Sequence, residues 1–256
     1  MPGSARDNGR MPHNLLALEI AVQDPAGVRI AGSVGAARVE LAQALALGGL
    51  TPSPATLELS LEAAREAGVE VHVLVRPRAG GFHYDADEIA VSELDVRRAV
   101  EAGAHGVVIG ALDAAGDLDL DAMGRLRDAA GSASVTLHRA IDVSADPIAT
   151  LAAARSLGLR RVLTSGGAST AVDGIDTLRA LVAAAEGEIE IMAGSGVDAA
   201  SARLLADTGV DALHFSAKRA VRDGGGVKMG SAAEGVGGYE ITDRDAALAI
   251  VAALAA

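Results

Sequence analysis

Cysteine and tryptophan are absent from the 256 residues, and the aromatic side chains amount to two Phe and two Tyr. Without a thiol there can be no disulfide, no thiolate nucleophile and no zinc–cysteine centre. So few rings exclude a stacking platform for single-stranded nucleic acid. Positive charge is also scarce: 22 Lys and Arg stand against 34 Asp and Glu, a net charge of −12. Such a chain repels phosphodiester backbones, so nucleic acid is not an expected partner. The apolar run L-L-A-L-E-I-A-V from Leu15 is short and is interrupted by Glu19. It is a poor signal segment and a worse membrane span, so a cytoplasmic protein with no membrane attachment is expected. Met1 to His13 is polar and rich in Gly, Ser, Arg and Pro, and reads as a disordered leader before one domain over residues 14–256.

What is present is aliphatic, since half of the residues are hydrophobic. The stretch S-V-T-L-H-R-A-I-D, Ser134 to Asp142, alternates like a buried strand. Val135, Leu137 and Arg139 fall on one side, and Thr136 and His138 on the other. Asp146-Pro147 then suits an N-cap and the first residue of a helix. Seven further stretches repeat the strand–loop–helix unit, with strands at 15–22, 38–42, 71–76, 106–110, 161–166, 189–194 and 212–216. Ser53-Pro54 gives a second cap of the same kind, and Ile241 to Ala256 reads as a closing helix. The loops after strand three (P-R-A-G-G-F-H-Y-D) and from Arg222 to Tyr239 are glycine-rich and long enough to move.

Gly68, Gly103, Gly131, Gly158, Gly187 and Gly209 each stand between a helical run and the next strand, where a left-handed helix end favours glycine. About eight such units imply parallel strands with right-handed crossovers. An open doubly wound sheet is the alternative. Eight units without a second domain favour an α/β fold of the closed kind, a single (β/α)8 TIM-type barrel.

In a barrel one face of each strand packs on the helices and the other fills the interior. The apolar series, such as Val71/Val73/Val75 and Ile189/Ile191, must face the helices. The complementary series then places Glu19, Arg38, Glu40, His72, Arg76, Thr136, His138, Ser165, Met192, Gly194, His214 and Ser216 inside. Interiors of this kind usually hold Val, Ile and Leu. An ion-pair network that merely fills the barrel would account for the charges, and His72 suits a core histidine. The clustering of the others toward the C-terminal strand ends, where barrel enzymes place their chemistry, points to a site. After strand seven, A-G-S-G-V leads toward Asp198 as the start of a helix. Two readings fit: the backbone of Gly194, Ser195 and Gly196, with Ser216, holds a phosphate-like anion, or the glycines serve only a tight turn. No Walker A sequence, HExxH or nucleophile elbow is present.

These strand-end motifs resemble the CutC family of copper homeostasis proteins. The residues that carry the likeness are L-E-I at Leu18, R-V-E-L at Arg38, G-G-L-T-P-S at Gly48 and R-P-R-x-G-x-F-x-Y at Arg76. T-x-H-R-A-x-D at Thr136, R-V-L-T-S-G at Arg161 and I-M-A-G-x-G-V at Ile191 complete it. The resemblance implies a cytoplasmic TIM-type barrel, a homo-oligomer such as a dimer, and a role in copper handling. Ala42 stands where some relatives carry cysteine after R-V-E-L, and soft Cu(I) prefers thiolate and thioether ligands. His138 and His214 are then the candidate copper ligands, with Met192 beside them. The residues themselves support a second reading, an enzyme acting by proton transfer on a small anionic metabolite, with or without a phosphate group. In it Glu19 or His138 moves a proton, Arg76 grips the anion, and Arg38 and Glu40 position these groups. Ser165, Gly194, Ser195, Gly196 and Ser216 complete the anion site.

Overall fold

Asp24, Ser53, Asp85, Asp119 and Asp146 each accept a first-turn backbone N–H, and a helix starts after each of them. These are α1 (Pro25–Ser33), α2 (Pro54–Ala67), α3 (Ala86–Glu101), α4 (Leu120–Ala130) and α5 (Pro147–Ser156). Asp85 forms a full capping box with Glu88. At the other helix ends the six expected junction glycines all have positive φ, between 57° and 103°, the conformation that turns a helix back toward a strand. The computed structural model describes residues 16–222 and 238–255. The leader Met1–His13 and most of the glycine-rich stretch Arg222–Tyr239 lie outside them.

Eight parallel strands close on themselves in sequence order: β1 (Ala17–Val22), β2 (Arg38–Leu41), β3 (Glu70–Leu74), β4 (Gly106–Ile109), β5 (Ser134–Leu137), β6 (Arg161–Thr164), β7 (Glu190–Gly194) and β8 (Ala212–Phe215). Pairing of β1 with both β2 and β8 completes the ring and leaves no open edge. The main core lies between sheet and helices and holds the outward apolar faces, among them Val71, Val73, Leu137, Ile191 and Phe215. Inside the ring, among the described residues, two small apolar clusters form, Ala42/Leu74/Val108 and Leu163/Met192/Ala212. Much of the rest is polar or charged, including Glu19, Arg38, Glu40, His72 and Arg161. Among the described residues no helix is long and apolar enough to cross a membrane.

Three local expectations fail. β5 stops at Leu137, and His138 caps a 3-10 turn over Arg139–Val143. Arg139 therefore leaves the strand alternation and turns to the barrel mouth, not to the helices. Regular helix after β7 begins only at Ala202 and lasts to Ala206, as α7. The Asp198 carboxylate itself takes the N–H groups of Ala200 and Ser201, so those donors are not available to an anion. Finally, Ile241 and Thr242 belong to a strand, β10 (Gly238–Thr242), paired antiparallel with β9 (Lys218–Arg222). The closing helix, α8 (Arg244–Ala255), starts after it. Between α5 and α7 stands α6 (Ile175–Ala185), which follows β6.

Candidate active site

Side chains of alternating strand residues meet inside the barrel in a fixed order set by register. Glu19 of β1 lies opposite Arg38 of β2 on one side and His214 of β8 on the other. Its carboxylate has no exposure to solvent. It accepts from Arg38 Nε at 2.6 Å and pairs with His214 Nδ1 at 2.8 Å. Arg38 Nη2 reaches Met192 Sδ at 3.4 Å. Burial opposes the charge on Glu19, but the His214 hydrogen bond and the His214 and Arg38 charges outweigh it, holding the acid well below the usual carboxylate range. The same partners act on His214 in reverse. Burial alone would lower its pKa, yet the Glu19 bond and the Glu40 and Glu19 charges raise it.

Glu40, two residues further along β2 than Arg38, faces His214 Nε2 at 3.7 Å. It is only 6% exposed, and burial lifts its pKa to about 7 against the pull of His214, with Glu19 adding to the rise. Glu19, Arg38, Glu40 and His214 thus do converge. Only Glu40 and His214 reach the wall of the cavity at the C-terminal mouth, which encloses about 550 Å³. Glu19 lies one layer beneath and spends its carboxylate on its two partners, so it orients His214 and does not meet a ligand. Arg38 opens instead to the opposite, N-terminal end of the barrel.

His138 reaches the mouth too. Its Nδ1 accepts the Ala140 N–H at 3.2 Å, which fixes the hydrogen of the neutral ring on Nε2. That Nε2 is buried without a partner. The ring packs on Phe82, centroids 4.6 Å apart, and burial followed by the nearby Arg76 charge pushes its pKa down to about 3. His138 is therefore a neutral hydrogen-bond donor with no lone pair for a metal while this bond holds. His214 is better suited to one, because its Nδ1 is held by a carboxylate and its Nε2 faces the mouth. The interior makes room for these imidazoles with glycine. A Cβ on Gly106 would meet His72 Nδ1 at 2.7 Å, one on Gly110 would collide with His138, and one on Gly194 would meet Leu163 at 2.6 Å and His214 Cβ at 3.2 Å.

Arg76 is on the mouth wall, but most of its guanidinium is spent. Nη1 donates to Leu47 and Gly49 carbonyls at 3.0 and 2.9 Å, and Nη2 to Gly80 at 2.7 Å. Only Nε lacks an acceptor. Arg76 thereby ties the loop after β2 to the loop after β3, across which it also stacks on Phe82 at 5.4 Å. Ser195, Gly196 and Ser216 line the mouth, with Ser195 itself at φ 88° and its hydroxyl on Ser169 O. Gly194 lies below the rim, against His214 and Leu163. Ser165 is fully buried, and its hydroxyl is engaged by Asp142, Arg139 and Ala168.

Sequence reasoning passed over Arg139, Asp142, Phe82 and Lys218, all on the mouth wall. Asp142 binds Arg139 Nε, both polar groups of Ser165, the Thr164 hydroxyl and the Gly167 N–H, fastening the turn after β5 to the loop after β6. Its spacing in T-x-H-R-A-x-D was a signal, but the motif showed no reason for an acid there until the turn was seen. Arg76, Arg139 and Lys218 bring positive charge to a mouth wall that also carries Glu40 and Asp142, within a chain of net charge −12. Among the described residues no group of three or more His, Asp or Glu converges as metal ligands.

The model of the CutC family matches residues 16–219. A CutC family protein of Xanthomonas axonopodis pv. citri is 48% identical over 204 residues, 79% of this chain and 84% of that protein. Another, of Histophilus somni, is 40% identical over 91% of this chain and 97% of its own length. The crystal structure named as the copper homeostasis protein CutC of Streptococcus agalactiae superposes with a TM-score of 0.76 at 30% identity, covering 79% of this chain and 99% of that one. The match takes in every strand of the barrel and every mouth residue described above, and the chain belongs to the CutC family.

Proposed function

We propose that the C-terminal mouth is the active site of an enzyme that moves a proton on a small anionic metabolite. One observation carries the reading: Glu40, on the cavity wall, has its pKa lifted to about 7 beside a histidine held by a second, ionised carboxylate. A general base works best when its pKa lies near the working pH, because it is then both available and basic. Glu19 fixes the His214 ring, His214 holds a positive charge next to Glu40, and Glu40 takes the proton from substrate and returns it. The neutral His138 Nε2–H is placed to donate to a developing oxyanion without surrendering its proton. Arg139, Lys218 and the remaining Nε of Arg76 attract the anionic group, and Phe82, Leu74 and Phe215 shield the reacting end from water.

The copper role in the name of the Streptococcus agalactiae relative is the second reading. The donor set supports it less. His214 Nε2 and Glu40 offer one imidazole and one carboxylate, His138 presents N–H, and Met192 Sδ already accepts from Arg38. A soft monovalent copper ion favours sulfur ligands. The enzyme reading is tested by incubating the protein in deuterium oxide with a panel of small keto and hydroxy acids and their phosphate esters. Proton NMR should show wash-out of an acidic C–H in at least one compound, and Glu40→Gln should slow it by roughly a hundredfold or more. If no compound exchanges faster with wild type than with Glu40→Gln, the reading fails.

A further inference from the structure

At the N-terminal end of the barrel a second cavity, of about 740 Å³, is lined by Arg38, Arg127, Arg160 and Arg161. Glu70 and Glu190 are the only acids on its wall among the described residues. Both are already engaged: Glu190 takes Arg160 on one oxygen and Arg161 on the other, and Glu70 turns to His72 Nε2 at 3.3 Å. The guanidiniums are not exhausted by these bonds. Among the described residues, Arg160 Nη1 and Arg38 Nη1 meet no acceptor, and Arg127 has only Asp128 at 3.4 Å, through Nη1.

Two further donors join them. His105, on the cavity wall, accepts the Val71 N–H on Nδ1 at 3.1 Å, which leaves Nε2 to carry its hydrogen. Ser134 Oγ is buried with no partner. A cavity with an excess of fixed donors and positive charge, in a chain of net charge −12, is built for negative charge and not for a cation. Among the described residues its apolar wall is Ala37, Ala133 and Val135, with no Phe, Tyr or Trp ring. The occupant is therefore compact and highly charged and carries no base or ring to stack.

Arg38 gives the cavity a connection. The same guanidinium that faces the N-terminal end donates to Glu19, and Glu19 holds His214 at the mouth. We propose that the N-terminal cavity binds a small multivalent oxyanion and that its occupancy is transmitted through Arg38 and Glu19 to His214. An anion that draws on Arg38 leaves Glu19 less neutralised and strengthens its hold on the imidazole, so the ligand at one end alters the charged pair at the other.

The test is histidine ring NMR on the full chain titrated with pyrophosphate and, separately, with citrate. The His105 resonances should move saturably at millimolar or lower concentration, and those of His214 should move with the same midpoint. A response to pyrophosphate alone assigns a phosphate-type ligand, and a response to citrate alone a polycarboxylate; either upholds the site. Arg127→Ala with Arg160→Ala should raise the midpoint by roughly tenfold or more, as expected for loss of charge-assisted hydrogen bonds. Arg179→Ala, on the outer face of α6 where it pairs with Asp176, should leave it unchanged. Absence of saturation at His105, equal weakening by Arg179→Ala, or a His214 signal that stays still would overturn the proposal. None of these outcomes depends on Glu40 being a base.

Discussion

Glu40→Gln offers the most direct measurement of the site's electrostatics. Folding carries this carboxyl from an ordinary value of 4.5 to about 7. Between those values the unfolded chain has released the proton and the folded chain still holds it, so stability falls as the pH rises. Each factor of ten in proton affinity is worth about 1.4 kcal/mol, so the interval costs roughly 3 kcal/mol. The wild-type profile alone would hide much of this. His138, pushed from 6.5 to about 3, is neutral in the folded chain while its unfolded counterpart is protonated, so its contribution grows as the pH rises to 6.5. The two slopes oppose each other over the shared range.

Subtracting one protein from the other cancels the His138 part. Glutamine keeps the shape of the neutral acid and cannot ionise, so the variant should match or fall slightly below wild type near pH 5. By pH 8 it should have gained about 3 kcal/mol relative to that baseline. His214 works in the same direction, since its raised pKa is partly owed to Glu40 and its stabilising effect fades as the pH rises past its folded value. Urea unfolding of both proteins at several pH values between 5 and 8, with slopes compared to confirm a common unfolded state, supplies the difference. Parallel profiles, within about 0.5 kcal/mol throughout, would mean that Glu40 titrates ordinarily. The proposed base would then have no special proton affinity.

Arg76→Lys keeps the charge but cannot serve three carbonyls from a planar fork, and it should cost about 2–4 kcal/mol in chemical unfolding; near-wild-type stability would contradict the loop-tying role drawn from its bonds to Leu47, Gly49 and Gly80. Gly110→Ala places a methyl against the His138 ring; it should cost about 1–3 kcal/mol and shift the His138 ring resonances by moving the imidazole off Phe82, and unchanged resonances would refute the contact.

The periodicities of the chain carried most of the fold. Junction glycines, Asp-Pro and Ser-Pro caps and outward apolar faces follow from local rules, and the closed sheet satisfies them together. Alternation also placed Glu19, Arg38, Glu40 and His214 inside. It would have placed Arg161 there as well, on the same face of β6 as Leu163 and Ser165, where its guanidinium reaches Thr136 and Glu190. Alternation gives the face of a strand but not the depth along it, which is why Glu19 read as a mouth residue. It also fails where strands end. His138 and Arg139 are positioned by a 3-10 turn whose hydrogen bonds to Asp142 and Ala140 have no period to detect. The use of Arg76 on carbonyls was equally invisible, since its acceptors come from two loops.

Burying charges along a barrel axis is costly unless each has a partner, and an apolar filling of the same volume is often as stable or more so. Here Arg38, Glu19 and His214 are linked by bonds of 2.6 and 2.8 Å, while the last member, Glu40, stands at 3.7 Å from the histidine with its proton affinity raised. A network serving only to fill space would satisfy its terminal carboxyl as tightly as its first. The loose end instead lies on the wall of the mouth cavity, and the remaining guanidinium hydrogens of Arg38 lie on the wall of the other. Both incompletely satisfied ends of the chain of charges therefore open to space that a ligand can occupy, and the fully paired groups lie between them. That distribution is what a site with a positioned proton acceptor requires, and packing alone gives no reason for it.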